Sequence, residues 1–409
     1  MARFRPIQAR AWQALRAANP ACGATVHTLR AIRRRALAWA ARMVWLACVL
    51  CIPLPGWCLS VTFINAGKSN EAYWIAVNQA MQAAAFRLGI ALEVTYLEHD
   101  HARAVEVARD IARRPPARRP DYVLLDNEGG AGPACLRILD AAGIPVLMVF
   151  NGISDLSQRK LTGAPRERYK LWLGTLEPRS EDAGYATAKA LIGRARASAW
   201  GQGTLYMVAL NEDRLSASSA ALAKGMRRAV AEAGNVVLLQ EVFSGFSRAK
   251  AAQQMQWLLK RHPQVRLVWT ASDQAAFGAM ETARTQDLLP GKDVLFSAVS
   301  TSADALEAAR SGALSALAGG HFMLGAWALV VLYDHYNGHD FAAAEGMEMT
   351  QPMFSLFTPE VSAQFGKRFG DGRFDAIDFK QFSTFQNPQR KRHNFEFQQL
   401  LTTGVPGHG

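Results

Sequence analysis

Acid is missing from the start of this chain. The first sixty residues hold no Asp or Glu but nine arginines: Arg3, Arg5, Arg10, Arg16, Arg30, Arg33, Arg34, Arg35 and Arg42. The whole chain carries 46 Lys plus Arg against 34 Asp plus Glu, a net charge of +12, which taken alone points to an anionic partner. Without the nine leader arginines the balance is 37 against 34, so the basic character belongs mostly to the leader and no nucleic-acid partner is expected. Cysteine is scarce as well. Four of the five (Cys22, Cys48, Cys51, Cys58) fall in the leader; the remaining Cys135 can form no internal disulfide, and no Cys/His spacing reads as a zinc site. Its plain reading is a small apolar helix residue.

A long apolar run is also lacking. Met43 to Leu54 is shorter than the roughly 18–20 residues that span a bilayer, and Pro53 and Pro55 interrupt the stretch. A basic region ending at Arg42, this apolar run, and small residues Cys58 and Ser60 before a cut at Val61 make a secretory signal the expected reading, with a retained membrane helix or a start nearer Met43 as alternatives. Export to the periplasm follows. No G-x-G-x-x-G or Walker loop follows a strand, since "NEGGAG" lacks the spacing and the lysine, and no G-x-S-x-G elbow occurs. No enzyme and no cofactor are expected. His99 and His101 flank Asp100 as an H-x-H, for which a polar turn is the plainer reading than a metal site.

What is present is an alternation of short apolar runs with amphipathic stretches. Strands are expected at Val61–Ile64, Leu92–Tyr96, Tyr122–Leu125, Val146–Phe150, Thr204–Leu210, Val236–Val242, Leu267–Thr270 and Val294–Val299, with helices between them such as Trp74–Leu88, Ala217–Ala233 and Ala275–Thr285. Such spacing makes right-handed βαβ units, hence an α/β fold of two doubly wound, Rossmann-like lobes. The expected lobes are residues 61–175, completed by about 300–320, and 176–299, completed by about 321–385; 1–60 form the leader and 386–409 a flexible tail.

Ligands of such sheets bind beyond the carboxyl ends of the strands. The residues there are Asn65 to Glu71, Asp126 to Gly130, Asn151-Gly152, Asn211 to Arg214, Phe246, Ser272-Asp273 and Ser300 to Ser302. Individually these residue types cap helices and make turns. Together, with Tyr73, Trp74 and Phe246 beside them, they suit a polyhydroxylated ring: carboxylates and amides pair hydroxyls while aromatic faces cover C–H surface.

From Val61 to about Phe385 the chain resembles the type I periplasmic solute-binding proteins, including ribose- and galactose-binding proteins and the autoinducer-2 receptor. The resemblance rests on "GKSNEAYWIAVNQAMQAAAFRLGIALEV", "RILDAAGIPVLMVFN", "LGTLEPRSEDAGYATAKALI", "VWTASDQAAFGAMETA" and "TSADALEAARSGALSALAGGHFMLGAWALVVLYDHYNG". It implies two lobes joined by a three-strand hinge, with crossovers near Thr175–Leu176, Val299–Ser300 and Ala318–His321. It further implies ligand contacts at Tyr73 and Trp74, Asn151, Phe246, and Ser272 with Asp273, to which the loop reading adds Glu71 and Ser300. The chain departs from the sugar binders where they carry an Arg after the fifth expected strand (here Ser218, Ser219, Ala220), an Asp after the eighth (Ser300) and a hinge Gln (Gly319). The resemblance implies a small sugar-like ligand and a membrane permease of an ABC-type importer as partner, or alternatively a membrane sensor.

Overall fold

The computed structural model describes residues 59–402 except Leu215 and Asp371. The expected leader, its signal cut and the last seven residues of the tail therefore lie outside the described residues, save Leu59 and Ser60.

In chain order the first sheet is built from β1 (Ser60–Asn65), α1 (Ala72–Leu88), β2 (Ala91–Tyr96), α2 (Arg103–Arg113), β3 (Tyr122–Leu125), α3 (Gly132–Ala141), β4 (Val146–Val149), α4 (Leu156–Thr162) and β5 (Trp172–Pro178). The second uses α5 (Ser180–Arg196), β6 (Leu205–Asn211), α6 (Ala217–Ala233), β7 (Val236–Phe243), α7 (Arg248–Arg261), β8 (Leu267–Thr270), α8 (Asp273–Thr285), β9 (Leu295–Val299), α9 (Ala303–Arg310) and β10 (Ala316–Gly319). The chain then returns through α10 (Leu324–Tyr336), α11 (Ala342–Glu345), β11 (Glu348–Gln351), β12 (Ser355–Leu356), α12 (Pro359–Phe369) and α13 (Phe397–Thr402). Each sheet has six strands, in the orders β11-β5-β4-β3-β1-β2 and β12-β10-β9-β8-β6-β7. All the pairings of the first sheet are parallel; in the second, β12 runs antiparallel to β10.

Burial explains which runs became which strands. β3, β4 and β8 are buried along their whole length, as strands with helices on both faces must be. At the sheet edges β2 buries no position fully and β7 only Val236. The eight expected strands all form. Those without an expectation, β5, β10, β11 and β12, are the ones that lead into or out of the crossovers; β10 reads Ala-Leu-Ala-Gly, too small and short to carry a strand signal. Cys135 lies fully buried in α3, and burial pushes its thiol up to about 12. Helices α5 and α6 meet at reciprocal glycines: a Cβ on Gly184 would fall 1.9 Å from the Leu222 carbonyl oxygen, and one on Gly225 2.0 Å from that of Glu181.

The structure corrects three expectations about where segments go. The chain passes between sheets at 178–180, 319–321 and 351–355; Val299–Ser300 is no crossover, because β9 and β10 pair within the second sheet. The completing segments are exchanged for the same reason. Residues 300–319 stay with the second sheet, whereas α10 packs on α1 of the first lobe and β11 extends the first sheet beside β5. Helix α10 is apolar at every position from Leu324 to Leu332, so its pattern there names no partner.

The third correction concerns the tail. From His393 to Leu400 it packs inward: Phe395 stacks on Trp327, with ring centroids 5.0 Å apart, and Phe397 and Leu400 are buried. His393, 6% exposed, lies between Asp334 (2.9 Å) and Glu345. Asp334 also accepts from the Thr384 amide (2.6 Å) and hydroxyl (2.8 Å) and from the Ser383 hydroxyl. Burial alone would lower the His393 pKa and raise that of Asp334; their mutual bond and the other partners outweigh it, raising the histidine and lowering the aspartate.

Candidate ligand-binding cleft

The carboxyl ends of the two sheets face each other across a cavity of about 460 Å³. Tyr73, Trp74, Asn151, Phe246, Ser272, Asp273, Glu71 and Ser300 all line it, which is the placement that strand ends in doubly wound sheets dictate. Lining is not the same as facing freely. Trp74 is 6% exposed, with Phe63 (6.3 Å), Tyr73 (5.0 Å) and Phe150 (5.2 Å) around its ring. Its indole covers Gly67 so closely that a Cβ there would lie 1.7 Å from Nε1. Most of the indole thus belongs to the core, with one part at the cavity wall.

Ser272 is a helix cap as well as a wall residue: its hydroxyl oxygen accepts from the Ala275 amide (3.1 Å) at the start of α8 and its hydroxyl donates to Glu212. Ser216 and Ser302 cap α6 and α9 in the same way. The capping role and the lining role are therefore carried by one side chain, because helix N-termini themselves end at the cleft.

Three second-lobe loops are tied together by Glu212. Its carboxylate accepts from the Ser244 hydroxyl (2.7 Å), the Phe246 amide (2.7 Å) and the Ser272 hydroxyl. Burial raises its pKa, opposed by those three bonds. Asp273 accepts on Oδ2 from Ser300 (2.8 Å) and Ser302 (2.5 Å). The Phe246 amide bond holds a strained residue, since Phe246 sits at φ 60°, a region costly for a side chain with a Cβ. Across the cleft His99 is also left-handed, at φ 60°. The two rings stack, 5.7 Å apart and 10° from parallel, closing one side.

The other side is closed by Asn151, whose Oδ1 accepts from the Ser216 hydroxyl (3.1 Å) and the Ser218 amide (3.3 Å) of the opposite lobe, while its Nδ2 donates to Asp126 Oδ1 (3.0 Å). In this arrangement Asn151 clasps the lobes. At the hinge, Tyr73, His321 and Phe354 form a continuous stack with centroids 4.8 and 4.7 Å apart. Burial pushes the His321 pKa down to about 3, so its ring is neutral. A hinge side chain at Gly319 has no space: a Cβ there would be 2.4 Å from the Ser300 carbonyl oxygen.

Several wall residues were not singled out by the sequence reading. Asp126, Glu128 and Glu212 stand in the strand-end loops it marked, and strand-end position was the signal that could have selected them. His99 was read as a turn residue, and the turn is real: it follows β2 and pairs Nε2 with Glu71 Oε1 at 2.9 Å. Phe354 had no signal, since it comes from the crossover segment between β11 and β12.

A family profile described as a periplasmic binding protein domain matches residues 61–340. The chain belongs to that family. Periplasmic binding proteins of this family are non-enzymatic solute-binding proteins. Among solved structures, a periplasmic sugar-binding protein from Pseudomonas fluorescens is 36% identical, with 84% of this chain and 99% of that one covered and a TM-score of 0.74. The binding component of an arabinose ABC transporter from Shewanella sp. ANA-3, bound to L-arabinofuranose, is 22% identical over 76% of this chain and 96% of its own, with a TM-score of 0.61. A solute-binding protein of an ABC transporter from Actinobacillus succinogenes, with bound D-allose, is 17% identical over 74% and 99%, with a TM-score of 0.63. No curated protein sequence matches significantly. As a periplasmic binding protein, the chain has its two lobes in contact on both flanks of the cavity, through Asn151 with Ser216 and through His99 with Phe246.

Proposed function

We propose that this periplasmic binding protein captures a small carbohydrate-type ligand between its lobes and delivers it to the permease of an ATP-driven importer. The observation that carries the reading is the composition of the wall: carboxylates from both lobes and serine hydroxyls from the second, beside Tyr73, Trp74, Phe150 and Phe246. Polar groups of that kind pair hydroxyls, and aromatic faces cover a ring's apolar side. The sugar-binding protein of Pseudomonas fluorescens and the allose- and arabinofuranose-bound transporter components support it from outside.

Ligand contacts are assigned to Glu71, Tyr73, Trp74, Phe246, Ser272, Asp273 and Ser300, with Asn151 reporting closure. On this reading the mature chain is exported, begins near Val61, and releases its ligand chemically unchanged. A thermal-shift screen over sugars, polyols and furanosides tests capture, because a ligand that binds only the folded state raises the melting temperature. The expected result is at least one carbohydrate hit, recovered intact by mass spectrometry; stabilisation by none of them overturns the reading. Amino-terminal sequencing of periplasmic protein checks the cut.

A further inference from the structure

The inner cavity is charged on one side of the ledger only. Five carboxylates line it, Glu71, Asp126, Glu128, Glu212 and Asp273, with two imidazoles, and among the described residues no Lys or Arg does. Lys68 belongs to an adjoining chamber that shares Glu71, His99, Glu128 and Phe246 with this cavity. Four of the five carboxylates accept hydrogen bonds from neighbouring groups, three of them with no buried oxygen left unpaired. Glu71 holds His99, Glu212 holds three donors, and Asp273 holds two serines.

The other two differ. Asp126 is 2% exposed; Oδ1 accepts from Asn151 Nδ2 and the Glu128 amide (3.0 Å each), but Oδ2 is buried with no partner. Glu128, 7% exposed, has the His99 imidazole facing it, Nδ1 to Oε1 at 3.8 Å. An acceptor buried without a donor costs stability, and two adjacent carboxylates without a cation repel each other. Neutral hydroxyls could fill the vacant acceptor but would leave the charge in place. An ammonium supplies several donors and the missing charge together, and the rings of Tyr73, Trp74 and Phe150 beside it favour a cation further.

We propose that the ligand of this cleft carries a protonated amine on its polyhydroxylated frame, as in an amino sugar, aminocyclitol or imino sugar, with the ammonium held by Asp126 and Glu128. This rests on the capture reading above and narrows its ligand class. Burial raises the pKa of both carboxyls, the Glu128 carboxyl further through Asp126. The groups facing them are Glu177 and His99 at Asp126, and Glu71, Asp213, Glu212 and His99 at Glu128. An empty cleft therefore takes up protons at neutral pH that a bound cation displaces.

The test is calorimetric titration of matched pairs at pH 7 and pH 5: D-glucosamine and deoxynojirimycin against D-glucose, D-galactosamine against D-galactose, and imino-arabinitol against arabinose. In at least one pair the amine is expected to bind about ten-fold or more tightly than its neutral partner at pH 7, with the ratio falling at pH 5. In Asp126→Asn, and separately in Glu128→Gln should the first not fold, the ratio is expected to shrink to within about two-fold. Neutral partners that bind as tightly as the amines, or a ratio unchanged in the folded variants, overturn the cation assignment while leaving carbohydrate capture standing. No binding by any member of any pair overturns both.

Discussion

The two walls of the cleft treat buried carboxylates in opposite ways. On the second lobe, Glu212 and Asp273 are supplied with hydroxyl and amide donors by their own loops. On the first, Asp126 keeps a buried oxygen without a partner and Glu128 faces the His99 imidazole at 3.8 Å. Donors from Ser244, Ser272, Ser300 and Ser302 make the second wall a preassembled frame. The first wall is incomplete until something enters the cleft. A buried acid thus serves as scaffold or as recognition element according to whether the fold supplies its donors, and the Asp334–His393 pair is a third case, an acid given an imidazole whose protonated form it favours.

Breaking that third case should have the largest effect. His393→Ala leaves Asp334 and Glu345 buried without their shared partner, a change expected to cost about 3–5 kcal/mol of stability in denaturant titration. The pH dependence follows from two opposite shifts. The raised His393 pKa gives stability that is complete below the ordinary histidine value and lost as pH rises through the folded one; the lowered Asp334 pKa gives stability complete above the ordinary aspartate value and lost as pH falls through the folded one. The pair should therefore contribute most between about pH 4 and pH 6.5, seen as the difference in melting temperature between parent and His393→Ala across that range.

Next comes the frame. Glu212→Ala orphans two serine hydroxyls and the amide that holds Phe246 at positive φ, and is expected to cost about 2–4 kcal/mol. Asp126→Asn should move the other way, gaining about 1–3 kcal/mol in the ligand-free protein at pH 8 relative to pH 5. The sign follows from its raised pKa: the stabilising protonated form is complete below the ordinary aspartate value and lost as pH rises through the folded one. Equal effects of the two substitutions on ligand-free stability would erase the contrast between the walls.

The smallest effect sharpens the site itself. Phe246→Ala should weaken binding of a confirmed ligand by about 0.5–1.5 kcal/mol through lost stacking, less than Asp273→Ala, for which about 1–3 kcal/mol is expected as Ser300 and Ser302 lose their acceptor. Calorimetry on both folded variants orders them.

Six of the eight runs read as strands are buried along most of their length, as a strand covered on both faces must be, and their apolar run is a property of adjacent residues; the edge strands β2 and β7 are exceptions. The eight site residues reached one cavity because strand ends in a doubly wound sheet converge whatever their side chains. Asn151 shows the limit of that reading: its place was legible, but its occupation by Ser216, Ser218 and Asp126 was not. The crossover strands, the partner of α10 and the packed tail were likewise invisible, since Ala-Leu-Ala-Gly carries no period and the unbroken apolar run Leu324 to Leu332 has no preferred face.

The sequence by itself determined the alternation of strands and helices, the two-lobe class and the polar character of the strand-end loops, all of which depend on residues close together in the chain. Only the tertiary structure decided which carboxylate would find donors. Asp334 meets His393 across 59 positions and Glu212 meets Ser272 across 60, while Asp126 Oδ2 meets none. Hydrogen bonding depends on distance and direction in space, and between residues so far apart in the chain those are fixed by how the sheets stack and where the crossovers return.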